Sequence, residues 1–82
     1  MDNKLTLKIL TPDGTAFEGC ADAVFLPGSM GPFEVLPSHA PIISSLVAGR
    51  LRWRDGSGES SVDVRSGAVR IMDNVITVCA EL

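Results

Sequence analysis

Apolar and polar residues alternate along most of this chain with a period of two, the pattern of strands wetted on one face. Leu5, Leu7 and Ile9 interleave with Lys4, Thr6 and Lys8. T-P-D-G-T at 11–15 is a turn: Pro12 suits the first central position of type I, and Gly14 can take positive φ to close a three-residue hairpin. Folding back about it sets Ile9 against Phe17 and Leu7 against Gly19. In L-R-W-R, Leu51 and Trp53 share one face, and Arg50, Arg52 and Arg54 line the other. Val62 and Val64 follow the loop D-G-S-G-E-S and alternate with Asp63 and Arg65. Pairing Trp53 with Val62 places Leu51 opposite Val64 and Arg52 opposite Asp63, a match of both faces that a one-residue slip would destroy. In V-R-I-M-D-N-V-I-T-V, Asp73-Asn74 fits a two-residue type I′ turn. It sets Met72 against Val75, Ile71 against Ile76 and Val69 against Val78. Val24-Phe25-Leu26 is apolar on both faces, as expected of a strand inside a double layer. Short strands, frequent turn signals and no helical period predict an all-β sandwich or flattened barrel.

Composition narrows the function. A chain of 82 residues is one domain near the lower end of what folds alone, so almost every apolar residue is needed for the core. The net charge of −3 and pI of 4.8 argue against binding a phosphate backbone. Three Phe, one Trp and no Tyr make a base-stacking surface a poor fit. The arginine row at 50, 52 and 54 reads as a solvated strand face with a cross-strand ion pair; contact with an acidic partner is the alternative. No stretch has the apolar length of a signal peptide or a membrane span. A soluble protein is expected, associating with a membrane through partners. Cys20 and Cys79 lack metal-ligand spacing and are expected as small buried thiols in a reducing compartment.

Little in the sequence points to chemistry. Ser38 and His39 are neighbours, but adjacent residues rarely aim at one another, and no nucleophile elbow or oxyanion hole accompanies them. His39 is expected to bond a nearby backbone carbonyl or to touch a partner. G-S-M-G-P-F lacks the Lys and Ser/Thr of a phosphate loop, and Pro32 removes an N–H donor. Asp13, Glu18 and Asp22 show no ligand spacing for a metal. No cofactor is expected. The informative segment is PGSMGPFEVLPSHAP at 27–41. Four prolines stiffen it, and Phe33, Val35 and Leu36 are too apolar for a linker. Such a loop on a small sandwich suits a docking surface.

LTLKILTPDGTAFEG at 5–19, FLPGSMGPFEVLPSHAPIISSL at 25–46, SGAVRI at 66–71 and NVITV at 74–78 together resemble the N-terminal domain of the epsilon subunit of rotary F-type ATP synthase. The most specific part is L-P-G-x-x-G-x-F-x-V-L-P-x-H-A-P. The resemblance implies a ten-stranded β-sandwich of two antiparallel sheets in the central rotor. It implies contact with the gamma subunit and the membrane ring of c subunits, coupling proton transport to ATP synthesis without catalysis. Ser29, Met30, Gly31, Pro32 and Phe33 would face the ring; Thr11, Ser38, His39, Ala40 and Ser44 would lie toward gamma. Family members often carry an acidic residue at the position of Pro32 and glycine at that of Glu34. Longer members continue into a C-terminal helical hairpin that inhibits ATP hydrolysis and in some binds ATP. This chain stops near its start, so neither activity, nor a bound nucleotide, is expected. The resemblance places such a subunit at the cytoplasmic face of the bacterial inner membrane, held there by its partners. A free-standing ligand-binding sandwich, with an apolar cavity between its sheets, is the competing expectation.

Overall fold

Alternation becomes architecture through burial. The computed structural model describes residues 4–82, and among them nine strands and no helix form. In chain order they are β1 (Leu5–Thr11), β2 (Gly14–Ala21), β3 (Ala23–Leu26), β4 (Phe33–Val35), β5 (Ile42–Leu46), β6 (Gly49–Asp55), β7 (Gly58–Val64), β8 (Ser66–Met72) and β9 (Val75–Glu81). They make a five-stranded sheet, β2-β1-β9-β8-β5, stacked on a four-stranded one, β4-β3-β6-β7. The sandwich stays open and does not close into a barrel.

Two expectations are corrected here. Nine strands form where ten were expected. The segment nearest to a further strand, around Gly28, makes only an isolated bridge to Leu46. Pro27 and Pro32 flank it without N–H donors, so no ladder can grow there. The sheets are also not purely antiparallel, because β1 and β9 run side by side in parallel from Thr6–Val75 to Leu10–Cys79. A parallel pair needs a long crossover, and the whole intervening domain supplies it.

The inner faces fill the space between the sheets. Leu5, Leu7 and Ile9 of β1, Ile76 and Val78 of β9, and Val69 and Ile71 of β8 are buried in one cluster with Val24, Leu26, Val35, Leu51, Trp53 and Val64. Phe17 packs on Trp53 with ring centroids 4.5 Å apart. No polar or charged residue is buried among the described residues, so the core is held by apolar burial alone, about 1.5–3 kcal/mol for each large side chain. Where β8 and β9 meet, Gly67 is squeezed. A Cβ there would strike the Cys79 carbonyl oxygen and come within 2.9 Å of the Ala80 Cα.

The first and third hairpins follow the predicted registers. Ile9 faces Phe17 and Leu7 faces Gly19, with a bulge between Ile9 and Leu10. Met72 faces Val75, Ile71 faces Ile76 and Val69 faces Val78, and Asp73 and Asn74 take φ of 52° and 63°. The β6–β7 hairpin departs from its expected register by two residues: Trp53 meets Ser60, Leu51 meets Val62 and Arg50 meets Asp63. The cause is the turn. The Asp55 carboxylate accepts the Ser57 N–H at 2.8 Å and the Ser57 hydroxyl at 2.7 Å, a side-chain turn that closes the loop after two residues. Pairing therefore starts at Gly58 (φ 130°). A shift of two keeps every side chain on its expected face but changes ionic partners. Asp63 pairs with Arg50 at 3.2 Å, and Arg52 pairs with Glu59 at 3.2 Å. At the other edge Lys4 bonds Asp22 at 2.6 Å, which holds its ammonium above the usual range.

Gly67→Ala is expected to cost about 1–3 kcal/mol, read as a lowered urea midpoint with an unchanged m-value. The bonds from Ser57, side chain first and backbone second, hold the Asp55 carboxyl below its ordinary value. That contribution is present above the unfolded value of about 3.9 and is lost as pH falls through the lowered folded value. The Ser57 amide proton should titrate with a midpoint below about 3.9 by NMR, and the step should vanish in Asp55→Asn.

Candidate functional site

Between β3 and β5 the chain runs through three turns in sixteen residues' reach, and each has a local cause. After Leu26, Pro27 centres a tight turn in which the Gly28 N–H donates to the Leu26 carbonyl at 3.1 Å. Gly28 to Gly31 then form a β-turn, the Gly31 N–H donating to the Gly28 carbonyl at 3.0 Å. Gly28 is obligatory, because a Cβ would lie 2.7 Å from the Phe33 ring and 2.8 Å from the Gly31 carbonyl oxygen. Gly31 has φ of 121°, open only to glycine without strain. The turn is anchored on β5: the Ser29 N–H donates to the Ser45 carbonyl at 3.0 Å, and the Val47 N–H to the Pro27 carbonyl at 2.9 Å. The Ser29 and Ser45 hydroxyls also meet at 2.7 Å. Met30 is left at the tip, 97% exposed.

The third turn is Leu36-Pro37-Ser38-His39. The His39 N–H donates to the Leu36 carbonyl at 3.2 Å, and Ser38 has φ of 70°. Proline followed by a residue of positive φ is the type II pattern. Serine is strained there by roughly 1 kcal/mol, and its N–H is held by the Asn74 side-chain oxygen at 2.6 Å. Two left-handed turns, at Ser38 and at Asp73-Asn74, thus brace one another.

The expected contact residues fall into separate groups. Ser29 to Phe33 form the tip loop, although Phe33 turns inward and packs against the core, leaving Ser29, Met30, Gly31 and Pro32 exposed. Ser38, His39 and Ala40 lie together at the corner over Asn74. Ser44 sits in the middle of β5 opposite Val69, on the inward-facing row. Thr11 is apart from them. It lies at the far end of β1 opposite Gly14, three strand spacings from β5 in the sheet order, about 14 Å. Glu34, opposite Phe25 on β4, projects from the outer face of the four-stranded sheet and not from the tip.

His39 Nδ1–H donates to the Ala40 carbonyl at 2.8 Å, so the expected backbone bond forms. Its proton is committed to that carbonyl, and the Ser38 amide is committed to Asn74. The interior between the sheets is occupied by the core side chains. The arginine face carries Arg52 over the Phe25 ring at 4.6 Å, a cation–π contact alternation alone did not show.

The expectation for the cysteines is corrected: Cys20 and Cys79 are free and exposed. Both sit on the outer face of the five-stranded sheet, Cys20 opposite Thr6 and Cys79 opposite Ala68. The signal was in the sequence, since Val78 and Ala80 flank Cys79 and take the inward positions. With β1 between their strands, their Cα atoms are about 9.6 Å apart or more, beyond disulfide reach.

A filled two-layer core and a braced surface loop define the chain as a small open β-sandwich. The comparisons with known proteins make that class specific. Residues 4–82 match the family model of the ATP synthase delta/epsilon chain β-sandwich domain, and the chain belongs to that family. It is 35% identical over 79 residues to an ATP synthase epsilon chain of Leptospira interrogans, covering 96% of this chain and 62% of that one. The chain therefore spans somewhat under two thirds of that relative. In fold it is similar to a chain of the Euglena gracilis mitochondrial ATP synthase, with a TM-score of 0.89 at 17% identity, covering 98% of this chain and 52% of that one. It is likewise similar to a chain of the Tetrahymena thermophila mitochondrial ATP synthase central stalk and c-ring, with a TM-score of 0.80 at 12% identity, covering 99% and 66%.

Gly28→Ala is expected to displace Phe33 and loosen the tip, destabilising the domain by about 1–3 kcal/mol and speeding hydrogen exchange at Ser29 and Val47. Asn74→Ala removes the acceptor of the Ser38 amide, and a loss of about 1–2 kcal/mol in chemical denaturation should follow.

Proposed function

We propose that this domain is a non-catalytic subunit of the central stalk of an F-type ATP synthase. It links the gamma subunit to the ring of c subunits and helps couple proton transport to ATP synthesis. Ser29 to Phe33 form the ring side, with Met30 as the leading contact. Ser38, His39 and Ala40 form the centre of the gamma side, which also takes in Ser44 on β5 and, at the far end of β1, Thr11. The domain sits at the cytoplasmic face of the bacterial inner membrane through these partners. Among the described residues no helix is long and apolar enough to cross a membrane.

The observation that carries this reading is the loop of residues 27–41. It is ordered by its own turns and by β5, yet it offers Met30 to solvent almost entirely. A surface ordered in advance loses little conformational entropy on binding, as a part that passes torque requires. Family membership over residues 4–82 and the fold's likeness to a chain of a central-stalk and c-ring assembly support the same reading.

Mixing the purified chain with the gamma subunit and c-ring of the same organism is expected to give a stoichiometric complex. Met30→Asp should weaken retention by the ring about tenfold, or 1.4 kcal/mol, and leave gamma binding unchanged. Remaining subunits that assemble and couple proton transport to ATP synthesis equally well without this chain would overturn the proposal.

A further inference from the structure

Met30 is not the only apolar side chain left uncovered at its end of the sandwich. The β5–β6 turn arrives at the same place, where Val47 is 47% exposed and Ala48 is exposed beside it. Three links make this turn and the tip loop one body. The Val47 N–H donates to the Pro27 carbonyl at 2.9 Å, the Ser29 N–H to the Ser45 carbonyl at 3.0 Å, and Gly28 bridges to Leu46. Gly49 lets the two loops close up, because a Cβ there would lie 2.8 Å from the Pro27 Cβ.

Both loops are without charge. Neither Leu26 to Phe33 nor Pro41 to Gly49 contains an Asp, Glu, Lys or Arg, in a chain with 21% charged residues. The charged groups at this end of the sandwich stand outside the two loops. Arg50 is paired with Asp63 at 3.2 Å. Arg65 and Glu81 carry opposite charge and are backbone neighbours, the Arg65 N–H donating to the Glu81 carbonyl at 2.7 Å. Asp13 lies in the β1–β2 turn, across the sheet from β5. The two loops together therefore present an uncharged platform of Met30, Pro32, Val47 and Ala48, ordered before any partner arrives.

We infer that the β5–β6 turn is a second contact for the ring of c subunits, and that the centre of this contact is apolar and not ionic. Val47 and Ala48 widen the surface that Met30 begins. The ring loops must answer it with uncharged, partly apolar residues, since a charge buried against the platform would lose its hydration and find no counter-ion. Charge also favours the ring over the lipid around it. An anionic membrane surface attracts apolar residues that are accompanied by Lys or Arg, and neither loop carries one. The inference rests on the rotor reading for the identity of the partner.

The test is binding of the whole chain to the purified c-ring of the same organism held in lipid nanodiscs, with empty nanodiscs of the same lipids alongside. Thermal unfolding of each variant serves as a folding control, and the Val47 N–H bond, being backbone, survives substitution. Val47→Asp is expected to lower ring affinity about tenfold or more, and the milder Val47→Ser about threefold. Val75→Asp, at the opposite end of the sheet, should leave ring binding unchanged. Raising salt from about 50 to about 500 mM should change the parent's affinity by less than about threefold, because screening acts on charges and not on apolar contact. Parent chain that binds the ring while folded Val47→Asp and Val47→Ser bind equally well overturns this inference and leaves the rotor reading standing. A larger loss with salt, or equal binding to empty nanodiscs, overturns it as well. A parent chain that does not bind the ring overturns both this inference and the ring half of the rotor reading.

Discussion

The rest of this structure depends on a two-layer core that contains no buried polar or charged residue. With only two layers, each strand has one face to bury and one to show, so the side-chain period of two must hold almost without interruption. That constraint fixes which residues meet across the sandwich, as in the packing of Phe17 on Trp53. It also fixes what is left outside: the arginine row on one sheet, and Ile43, Arg70 and Cys79 on the other. The surface that could meet partners is the complement of the surface that folds the domain.

The same constraint explains what could be read from the chain. The hairpins centred on residues 12–13 and 73–74 were legible because local turn chemistry and alternation agree there. The hairpin at Asp55–Gly58 was legible in its faces but not in its register. Both registers keep Leu51, Trp53, Val62 and Val64 on one side, and the choice was made by the Asp55 carboxylate capping Ser57. The parallel pairing of β1 with β9 had no local signal at all, because residues about seventy positions apart meet there. The exposure of the cysteines was legible in the alternation of Val78, Cys79 and Ala80, and a habit of the residue type concealed it.

The loop of residues 27–41 was recognisable from composition as stiff and partly apolar. Composition could not say which of its apolar residues would be spent on folding. Phe33 and Val35 go to the core, while Met30 and Leu36 remain outside. The deciding element is Gly28, whose bare Cα lets the Phe33 ring lie against it. Two further devices are tertiary: the bonds from Ser29 and Val47 that join the loop to the end of β5, and the Asn74 oxygen that secures Ser38. A loop held at three separate points behaves as part of the scaffold.

Because β1 and β9 run the same way, the chain enters and leaves the five-stranded sheet at opposite ends. Entry at Leu5 lies beside the Asn74 turn, and so on the side of the Ser38–His39 corner. Exit at Glu81 lies beside Ser66, towards the end of the sheet where Leu46 and the tip loop are found. The domain thus has a built-in compass. A fluorophore joined at Lys4 and another at Glu81 would report the two poles separately, and their order within an assembly would reveal which way the domain points.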